Sequence, residues 1–501
     1  MAIIQRKETL NLDKKKLFIV TTLGVLCLLI PLILVAVDPM FIVGKYNFRL
    51  ANGTVLHEIF SEELECGRFE VFLFNISNAD RFLAGEDYKL QLQEVGPFTY
   101  IEYRTHKDLL LKDGLMTYTP QLRSVFVPEE SVANPEDLNI TMPNIPMLSA
   151  TTLLSKSPFI VRSVFNIMVS QLRSKAVVNR SVQDYLWGYR DPVLSFANKL
   201  VPGLIHFEST GIMDRMYDKK AYYHLELGAT DADKFSIKTV KQFRIITTGN
   251  QEMISESTAT FNNTYEGIAY PPKMSSKAPL NILRVGICKA FPMTVCGKTT
   301  SEYGPDALVY EMDELAFGKR TLCNSKGVCP KGLMDMSSCY MGLPLALSKG
   351  HFLDGDPELY KRIEGLSPNR TTHSSHLVIE PKIGLTLETK LSLQVNIVLG
   401  NLNYNSEARR FSDIVLPIAH FQIRQPRLPA IAIKALRVMY IIMPRILLVV
   451  EVILCIIGAL LLCYSIILLL HHRRISNIKN SIKIIPANQI HNSKVDIPLI
   501  K

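Results

Sequence analysis

Two long apolar segments, one near each end of the chain, constrain this sequence more than any other feature. Residues 17–37 contain no charged side chain, and residues 446–470 contain only Glu451. At about 1.5 Å per residue, each segment is long enough as a helix to cross a hydrocarbon layer of ~30 Å. The sequence therefore predicts five regions: a tail over 1–16, a transmembrane helix over 17–37, an ectodomain over 38–445, a transmembrane helix over 446–470 and a tail over 471–501.

A cleaved secretory signal is the alternative for the first apolar segment. Its length argues against this alternative, because the apolar region of a signal peptide usually has about 7–15 residues. The residues that follow, Val37, Asp38 and Pro39, also lack the small side chains of a cleavage site. We therefore predict that the first segment is retained as a membrane span.

Positive charge is concentrated at the outer ends of the two segments. Of the net charge of +10, residues 1–16 supply +3 (five basic and two acidic side chains) and residues 471–501 supply +5 (six basic and one acidic). Cytosolic flanks of membrane spans are enriched in Lys and Arg, so both tails are predicted to be cytosolic. The charge therefore indicates a membrane protein and no nucleic-acid partner.

The predicted ectodomain carries the features of an oxidising compartment. Five of its six cysteines lie between residues 288 and 339, which favours local disulfides, although fifteen pairings of six cysteines remain open. A zinc site is the alternative, but there is no Cys-x-x-Cys pair, and we predict no metal. Asn-x-Ser/Thr glycosylation sequons begin at Asn52, Asn75, Asn139, Asn179, Asn262 and Asn369.

Strand-like and helix-like patterns are both present, which predicts an α+β ectodomain. In residues 391–399, apolar side chains alternate with Ser392, Gln394 and Asn396, a pattern typical of an antiparallel strand with one solvated face. Residues 147–200 differ, because residues 160–172 follow the period of an amphipathic helix. Ser157 with Pro158 predicts the start of this helix, and Ser181 with Asp184 predicts a capping box for another.

Several motifs occur in an order that is specific to one family. The segment Leu186–Pro192 contains the only tryptophan, Trp187. With the others, it resembles the class B scavenger receptors, which include fatty-acid translocase, the high-density lipoprotein receptor, lysosomal integral membrane proteins, croquemort and insect carotenoid-uptake receptors. The other motifs are Gly96–Tyr100, Asn139–Thr141, Ala269–Pro272, Gly286–Lys289, the cysteines at 323, 329 and 339, and Val378–Leu385.

This resemblance implies a fold and a set of functional residues. The fold is an antiparallel β-barrel-like core with a helical apex bundle, here residues 147–200, and an internal hydrophobic tunnel that leads toward the membrane. The implied disulfides are Cys323–Cys329 and Cys288–Cys339, and the pairing of Cys66 and Cys296 stays open. The implied ligand-capture residues of the apex are Arg173, Lys175, Phe159, Ile160 and Phe165.

The apex residues also have a plainer explanation. Arg173 and Lys175 can be cations at a solvated helix end, where they interact favourably with the helix dipole. Phe159, Ile160 and Phe165 can be packing residues. Gln171 stands where fatty-acid translocase has a lysine, which favours a neutral cargo over a fatty acid.

The predicted function is a scavenger-type receptor for the uptake of lipoprotein-borne carotenoids, sterols or other lipids. No catalytic motif is present, so we predict no enzyme and no cofactor; an ectoenzyme and a two-span channel are weaker alternatives. An adhesion or phagocytic receptor that transfers no lipid, and a lysosomal lipid transporter, remain open. The plasma membrane is the predicted location, with endosome or lysosome as the alternative because Asp496–Ile500 resembles a lysosomal sorting signal. The partners are lipids or lipoprotein particles, and the sequence leaves homo-oligomer formation open.

Overall fold

The computed structural model describes residues 2–200, 209–217, 221–248, 251–277, 279–284, 287, 289–340, 342–426, 428 and 430–483. Eleven α-helices are found in this part of the chain. They are α1 (Ala2–Val37), α2 (Pro39–Asn47), α3 (Val55–Ser61), α4 (Ala79–Ala84), α5 (Ile145–Leu154), α6 (Phe159–Gln171), α7 (Val182–Trp187), α8 (Pro192–Leu200), α9 (Arg370–His373), α10 (Ala430–Arg437) and α11 (Met443–Lys483).

The described residues also form eighteen β-strands. They are β1 (Leu64–Ile76), β2 (Leu90–Lys112), β3 (Leu115–Phe126), β4 (Asn139–Pro143), β5 (Val177–Ser181), β6 (Ala221–Gly228), β7 (Ile237–Thr248), β8 (Gln251–Thr260), β9 (Thr264–Tyr265), β10 (Leu280–Arg284), β11 (Lys289–Thr300), β12 (Asp306–Met312), β13 (Met334–Asp335), β14 (Leu345–Ser348), β15 (Ile363–Glu364), β16 (His376–Glu380), β17 (Leu385–Val398) and β18 (Val415–Arg424).

The chain divides into two compact units. The terminal unit comprises residues 1–43 and 434–501, and the central unit comprises residues 44–433. The terminal unit contains the two helical stretches that are long and apolar enough to cross a membrane, Lys15–Val37 and Ala432–Arg474, the second of which begins just inside the central unit. Both predicted membrane spans are therefore helical.

The two long helices pack against each other in an antiparallel arrangement. The hydroxyl groups of Thr21 in α1 and Ser465 in α11 share a hydrogen bond of 2.6 Å. A Cβ atom at Gly458 would lie 2.9 Å from the side chain of Leu28 and 3.0 Å from the backbone oxygen of Gly24. Small residues let two helix backbones approach closely, and interhelical hydroxyl contacts add to the packing in an apolar medium.

We expect cysteines that replace Thr21 and Ser465 to form a disulfide under mild oxidation. The hydroxyl groups of the two native side chains touch, so the two thiols would be adjacent. The experiment uses full-length protein in membranes, with serine in place of Cys27, Cys455 and Cys463. After cleavage at a protease site inserted at Asp113, in the β2–β3 hairpin, the two fragments should stay joined on a denaturing gel until reductant is added.

Adding Gly458→Leu to the cysteine pair should reduce the cross-linked fraction severalfold, because the leucine would separate the helices. Gly297→Leu is the matched control, since nothing lies within 4 Å of a Cβ at that glycine and its φ is not positive. Fragments that separate without reductant would contradict the packing. A first helix missing from the mature protein would instead identify the segment as a cleaved signal.

The central unit is built on one large sheet that is almost entirely antiparallel. Its strands follow the order β8, β7, β6, β3, β2, β1, β18, β17, β16, β12, β11, β10, β9. An isolated bridge between Ser236, next to β7, and Tyr265 in β9 connects the two ends of this order. The sheet therefore curls into a barrel-like form, as the resemblance implies.

The solvated face predicted for residues 391–399 is wrong. Ser392, Gln394 and Asn396 in β17 are all fully buried. Gln394 accepts a hydrogen bond from the backbone N–H of His351 at 2.8 Å, and the Asn396 amide donates to the Ser348 hydroxyl at 2.9 Å. Since buried polar groups are tolerated when they are hydrogen-bonded, this face of β17 packs against other polar elements instead of water.

The predicted helical insert is present and comprises α5, α6, α7 and α8. Ser181 caps α7 by accepting from the backbone N–H of Asp184 at 3.1 Å, as its capping pattern predicts. The start of α6 differs by one residue from the prediction, because Pro158 is the N-cap and Ser157 makes no cap contact. Buried side chains of the insert join the same apolar core as the central strands.

Candidate functional site

Helix α6 is fixed on the central unit by one of its faces. Phe165 and Val169 on this face are buried. The Asn166 amide donates to the backbone oxygen of Tyr404 at 2.6 Å, and the Tyr404 hydroxyl donates to the backbone oxygen of Thr151 in α5 at 2.6 Å. These contacts determine which side of α6 points outward.

The outward side of α6 is apolar and exposed. Phe159, Ile160, Val164 and Ile167 are 75%, 74%, 61% and 61% exposed. Positions 160, 164 and 167 lie on one side of a helix because of their spacing. The amphipathic pattern predicted for this helix is therefore only partly a packing pattern, and the exposed residues form what we call the apex stripe. Large exposed apolar patches mark interaction sites.

The region around the apex stripe is exclusively basic. Residues 138–183 contain five Lys or Arg side chains and no Asp or Glu. Arg173 and Lys175 are exposed and follow directly after the C-terminal end of α6. The backbone of Arg173 is left-handed, with φ of 49°, where the chain leaves the helix. An anionic surface would therefore meet no like charge from these residues.

The structure does not group the five predicted capture residues in one place. Phe159 and Ile160 lie at the N-terminal end of α6, and Arg173 and Lys175 lie beyond its C-terminal end, about 20 Å away along 13 residues. Phe165 is only 7% exposed and belongs to the core. The apex stripe bridges this distance, since it extends along α6 toward the two cations. Val164 and Ile167 were not predicted as capture residues, because sequence periodicity does not distinguish a buried from an exposed apolar face.

The central unit also contains a cavity of about 490 Å³ that is partly open to solvent. Strands β1, β2, β3, β6, β10 and β18 supply most of its wall. A cavity of this volume is in the range that binds small molecules. Its apolar wall residues include Phe69, Leu122, Met216, Leu283, Ile287 and Ile423.

Charged side chains are also part of the cavity wall. Arg104 donates to Glu266 at 3.2 Å, and the Tyr118 hydroxyl donates to the same carboxylate. Burial lowers and Glu266 raises the pKa of Arg104, and the effect of Glu266 prevails. The Tyr217 hydroxyl donates to Glu102 at 3.1 Å, and burial with this carboxylate raises the pKa of Tyr217. The cavity is therefore amphipathic. It differs in this respect from the hydrophobic tunnel that the family resemblance implies.

The single tryptophan connects the helical insert to the cavity wall. Trp187 in α7 packs on Tyr217 with ring centroids 5.5 Å apart, and Tyr217 lines the cavity. The indole N–H of Trp187 also donates to the Tyr100 hydroxyl in β2 at 3.2 Å. The motif that identifies the family in the sequence therefore lies between the apex helices and the cavity.

The charged residues of the cavity were missed in the sequence. Glu102 and Arg104 alternate with Ile101 and Tyr103 in β2, so charge occupies one face of this strand. That alternation is the only local signal, and it is identical to the pattern of a solvated strand. Glu266 is brought to Arg104 by the fold alone, across 162 residues of sequence.

A second buried group of polar side chains includes Glu94 of β2 and three histidines. Glu94 accepts from His351 Nε2 at 2.9 Å and from His420 Nδ1 at 3.1 Å. The ring of His373 stacks on that of His351 at 4.3 Å. Ser392 bonds the remaining nitrogen of His420 at 2.8 Å. We call Glu94 and these three histidines the histidine cluster.

The histidine cluster has the spacing of a metal site, because one ring nitrogen from each of its three histidines lies within 4.8 Å of the others. A histidine that binds a metal through one nitrogen donates the proton on its other nitrogen to an acceptor. Here, Nδ1 of His351 and Nδ1 of His373 instead face backbone N–H donors, those of Ser367 and Asn369, each at 3.0 Å. Both rings therefore carry their proton on Nε2, which suits a hydrogen-bonded cluster and not a metal centre.

The structure contains the disulfide Cys323–Cys329, one of the two pairs that the family resemblance implies. Cys339 is also disulfide-bonded, and Cys288, its implied partner, lies outside the described residues. Cys66 and Cys296, whose pairing the sequence left open, both have free thiols and are therefore not bonded to each other.

The six sequons all belong to the central unit. Asn75 is half-buried, and its side-chain oxygen accepts from the backbone N–H of Thr141 at 2.8 Å. The other five asparagines are exposed, which is what attachment of a glycan requires. These are Asn52, Asn139, Asn179, Asn262 and Asn369.

Comparison with known proteins gives a consistent result over most of the chain. Residues 20–469 match the CD36 family. Scavenger receptor class B member 1 of Bos taurus is 25% identical over 461 residues, which cover 89% of this chain and 87% of that protein. Lysosome membrane protein 2 of Homo sapiens is 24% identical over 383 residues, which cover 74% of this chain and 77% of that protein.

Proposed function

Because this chain belongs to the CD36 family, we propose that it is a scavenger-type lipid receptor that takes up neutral hydrophobic cargo from lipoprotein particles into the membrane. The cargo class comprises carotenoids, sterols and other lipids. The observation that carries this proposal is the partly open cavity of about 490 Å³, which an adhesion receptor does not need. The proposed process moves cargo without a covalent step, so it requires neither a catalytic residue nor a cofactor.

The apex stripe is suited to first contact with a lipid particle. Its exposed apolar side chains can enter the surface layer of the particle, and full burial of such a side chain stabilises binding by about 1.5–3 kcal/mol. The basic side chains around it attract lipid phosphates, with about 1 kcal/mol for each cation near the surface. A helix that combines both features is typical of a lipid surface.

The cavity provides a sheltered place for cargo on its way to the membrane. Exposing one CH₂ group to water costs about 0.8 kcal/mol, so free diffusion of a lipid through water is strongly disfavoured. A cavity with apolar wall residues lowers this cost. Trp187 packs on Tyr217 of the cavity wall, so a route from the apex stripe into the cavity would pass this pair of rings.

The charges of the cavity wall favour neutral cargo. Three carboxylates, those of Glu63, Glu102 and Glu266, are balanced by three guanidinium groups, those of Arg104, Arg123 and Arg284. A cavity without excess charge offers little to an anionic fatty acid and has no reason to exclude a neutral amphipathic lipid. This agrees with the uncharged Gln171 at the end of α6.

We place the receptor in the plasma membrane with both termini in the cytosol, because the basic tails flank the two helices. Endosome or lysosome is the alternative. The residues that resemble a lysosomal sorting signal, Asp496–Ile500, lie outside the described residues. In either location, the proposed partners are lipids or lipoprotein particles.

The proposal is tested by a two-label uptake assay. Cells that express the full-length chain receive lipoprotein particles with a labelled carotenoid or sterol ester in the core and a second label on the particle protein. We expect the core label to accumulate in the cells in excess of the protein label. Particle binding without this excess would contradict lipid transfer and identify the chain as an adhesion receptor.

We expect the double variant Arg173→Glu with Lys175→Glu to bind particles at least about tenfold more weakly. Two attractive cations become two repulsive carboxylates in a segment, residues 138–183, that otherwise has no acidic side chain, and each lost cation costs about 1 kcal/mol. The measurement is particle binding at low ionic strength, together with core-lipid uptake.

Lys107→Glu with Lys112→Glu is the matched control, because both lysines are exposed and belong to β2, far along the chain from α6. This control should bind like the wild type. Unchanged binding of the apex variant would remove Arg173 and Lys175 from the capture surface. Loss of binding in both variants would show an effect of net charge instead of the apex.

A further inference from the structure

Two buried polar atoms on the cavity wall have no hydrogen-bond partner among the described residues. They are Nε of Arg104, a donor, and Oε1 of Glu102, an acceptor. The two residues are only 9% and 3% exposed. Of their other polar atoms, Nη1 of Arg104 donates to Glu266 and Oε2 of Glu102 accepts from Tyr217. The nearest cation to Glu102 Oε1, Nη2 of Arg284, is 3.9 Å away, beyond hydrogen-bond distance.

Leaving these two buried atoms without hydrogen-bond partners costs free energy. A buried donor or acceptor without a partner loses its hydration and gains nothing in exchange. Nearly all buried polar groups in folded proteins have a partner, so each exception calls for a ligand or an ordered water. The two exceptions on the cavity wall belong to neighbouring positions of one strand face. Residues 102 and 104 are two positions apart in β2, which places both side chains on the same face of the strand.

The unpartnered donor on Arg104 and the unpartnered acceptor on Glu102 together favour a ligand with a particular polar group. A hydroxyl group accepts one hydrogen bond and donates another, so it matches an unpartnered donor beside an unpartnered acceptor. A carboxylate only accepts and would be repelled by Glu102. A hydrocarbon or an ester without a hydroxyl group would leave the acceptor unpaired. The apolar wall of the cavity, with Phe69 and Leu283, suits the body of a lipid.

We infer that Arg104 and Glu102 form a binding site for the hydroxyl group of a neutral lipid, such as a free sterol or a hydroxylated polyene, whose apolar body occupies the cavity. This inference rests on the proposed function and narrows its cargo class. Oε1 of Glu102 accepts a hydrogen bond from the hydroxyl group, and Nε of Arg104 donates a hydrogen bond to the hydroxyl oxygen. Esterified cargo then binds elsewhere or less tightly than the free alcohol.

The test compares two ligands that differ only in this group. Full-length protein, purified in detergent, is titrated with tritiated cholesterol and with tritiated 5-cholestene, which lacks the hydroxyl group. We expect the wild type to bind cholesterol at least about tenfold more tightly, since the hydrocarbon leaves both buried atoms unpaired. Glu102→Leu should reduce this preference to near unity, and Arg104→Lys, which keeps a cation beside Glu266, should reduce it severalfold.

Glu63→Leu is the matched control. Glu63 also lines the cavity, but its carboxylate is already bound to Arg123 at 2.9 Å and is 42% exposed. This variant should keep the wild-type preference. Equal affinity of the wild type for the two ligands would overturn the inference, because water then satisfies the pair, and would leave the proposed function intact. Failure of the wild type to bind either ligand would contradict both. The wild-type comparison decides the question even if a variant does not fold.

Discussion

Cells that express the double variant Leu122→Trp with Met216→Trp should bind lipoprotein particles as well as the wild type and take up at least about tenfold less core lipid. Both side chains line the cavity of the central unit. Two indole rings that fill this space would leave no passage for a lipid body, while the apex stripe on α6 is untouched. Substitution into an existing cavity causes less strain than overpacking of a filled core, so the fold should persist. The measurement is the two-label uptake assay.

The matched control is Leu110→Trp with Val132→Trp, two substitutions at positions that are 56% and 57% exposed. This control should transfer lipid normally. Normal transfer in the cavity variant would show that cargo bypasses the cavity, and the receptor would then have to pass lipid along its outer surface. Loss of particle binding in the cavity variant would point to misfolding, which thermal unfolding of the purified protein would reveal.

Acidification from pH 7 to pH 4 should lower the melting temperature of the protein by several degrees, on the scale expected for a few kcal/mol in a large domain. Burial lowers the pKa of His373 to about 4, and the neighbouring His351 and His420 add to this effect. Burial also lowers the pKa of His420. Histidines of the unfolded chain titrate near ~6.5, so the unfolded state binds more protons between these values, and acid favours unfolding.

Glu94 extends the same trend to lower pH. Burial acts to raise its pKa, but hydrogen bonds from His351 and His420 prevail and lower it to about 2. The stability that this carboxylate contributes is present above its unfolded pKa of about 4.5 and is lost as the pH falls toward 2. The loss between pH 6.5 and 4.5 therefore comes from the histidines, and the carboxylate contributes only below that range.

His373→Gln separates this cause from general acid effects. Glutamine can still accept from the backbone N–H of Asn369 but does not titrate, so the melting temperature should fall less between pH 7 and pH 4.5 than in the wild type. His57→Gln, at a half-buried position in α3 outside the histidine cluster, should leave the wild-type slope unchanged. Equal slopes for all three proteins would contradict the role of the cluster.

The parts of the fold with a strong local signal were predictable from the sequence. The two apolar segments predicted the helices that contain Lys15–Val37 and Ala432–Arg474, because length and composition alone decide such a case. The Ser181 cap was predictable since its partner is three residues away. The order of short motifs identified the family before any contact was known.

The parts that depend on contacts between distant residues were not predictable. In β17, the alternation of Ser392, Gln394 and Asn396 is compatible with water or with buried polar partners, and only the fold brings His351 and Ser348 to this face. The cavity wall was not predictable for the same reason, because strands that are far apart in the sequence form it. For α6, the period of the helix indicated apolar residues but not which of its two apolar faces is buried.

The packing of α1 against α11 has a thermodynamic consequence for the residues between them. As long as the Thr21–Ser465 contact holds, it keeps the two ends of the intervening chain close together while residues 44–433 unfold. Like a covalent cross-link, this tether removes conformational entropy from the denatured ensemble. For a closed loop of 390 residues, the chain-entropy relation gives about 6 kcal/mol. A soluble fragment without the two membrane helices lacks that contribution, so its free energy of unfolding is lower than that of the intact receptor.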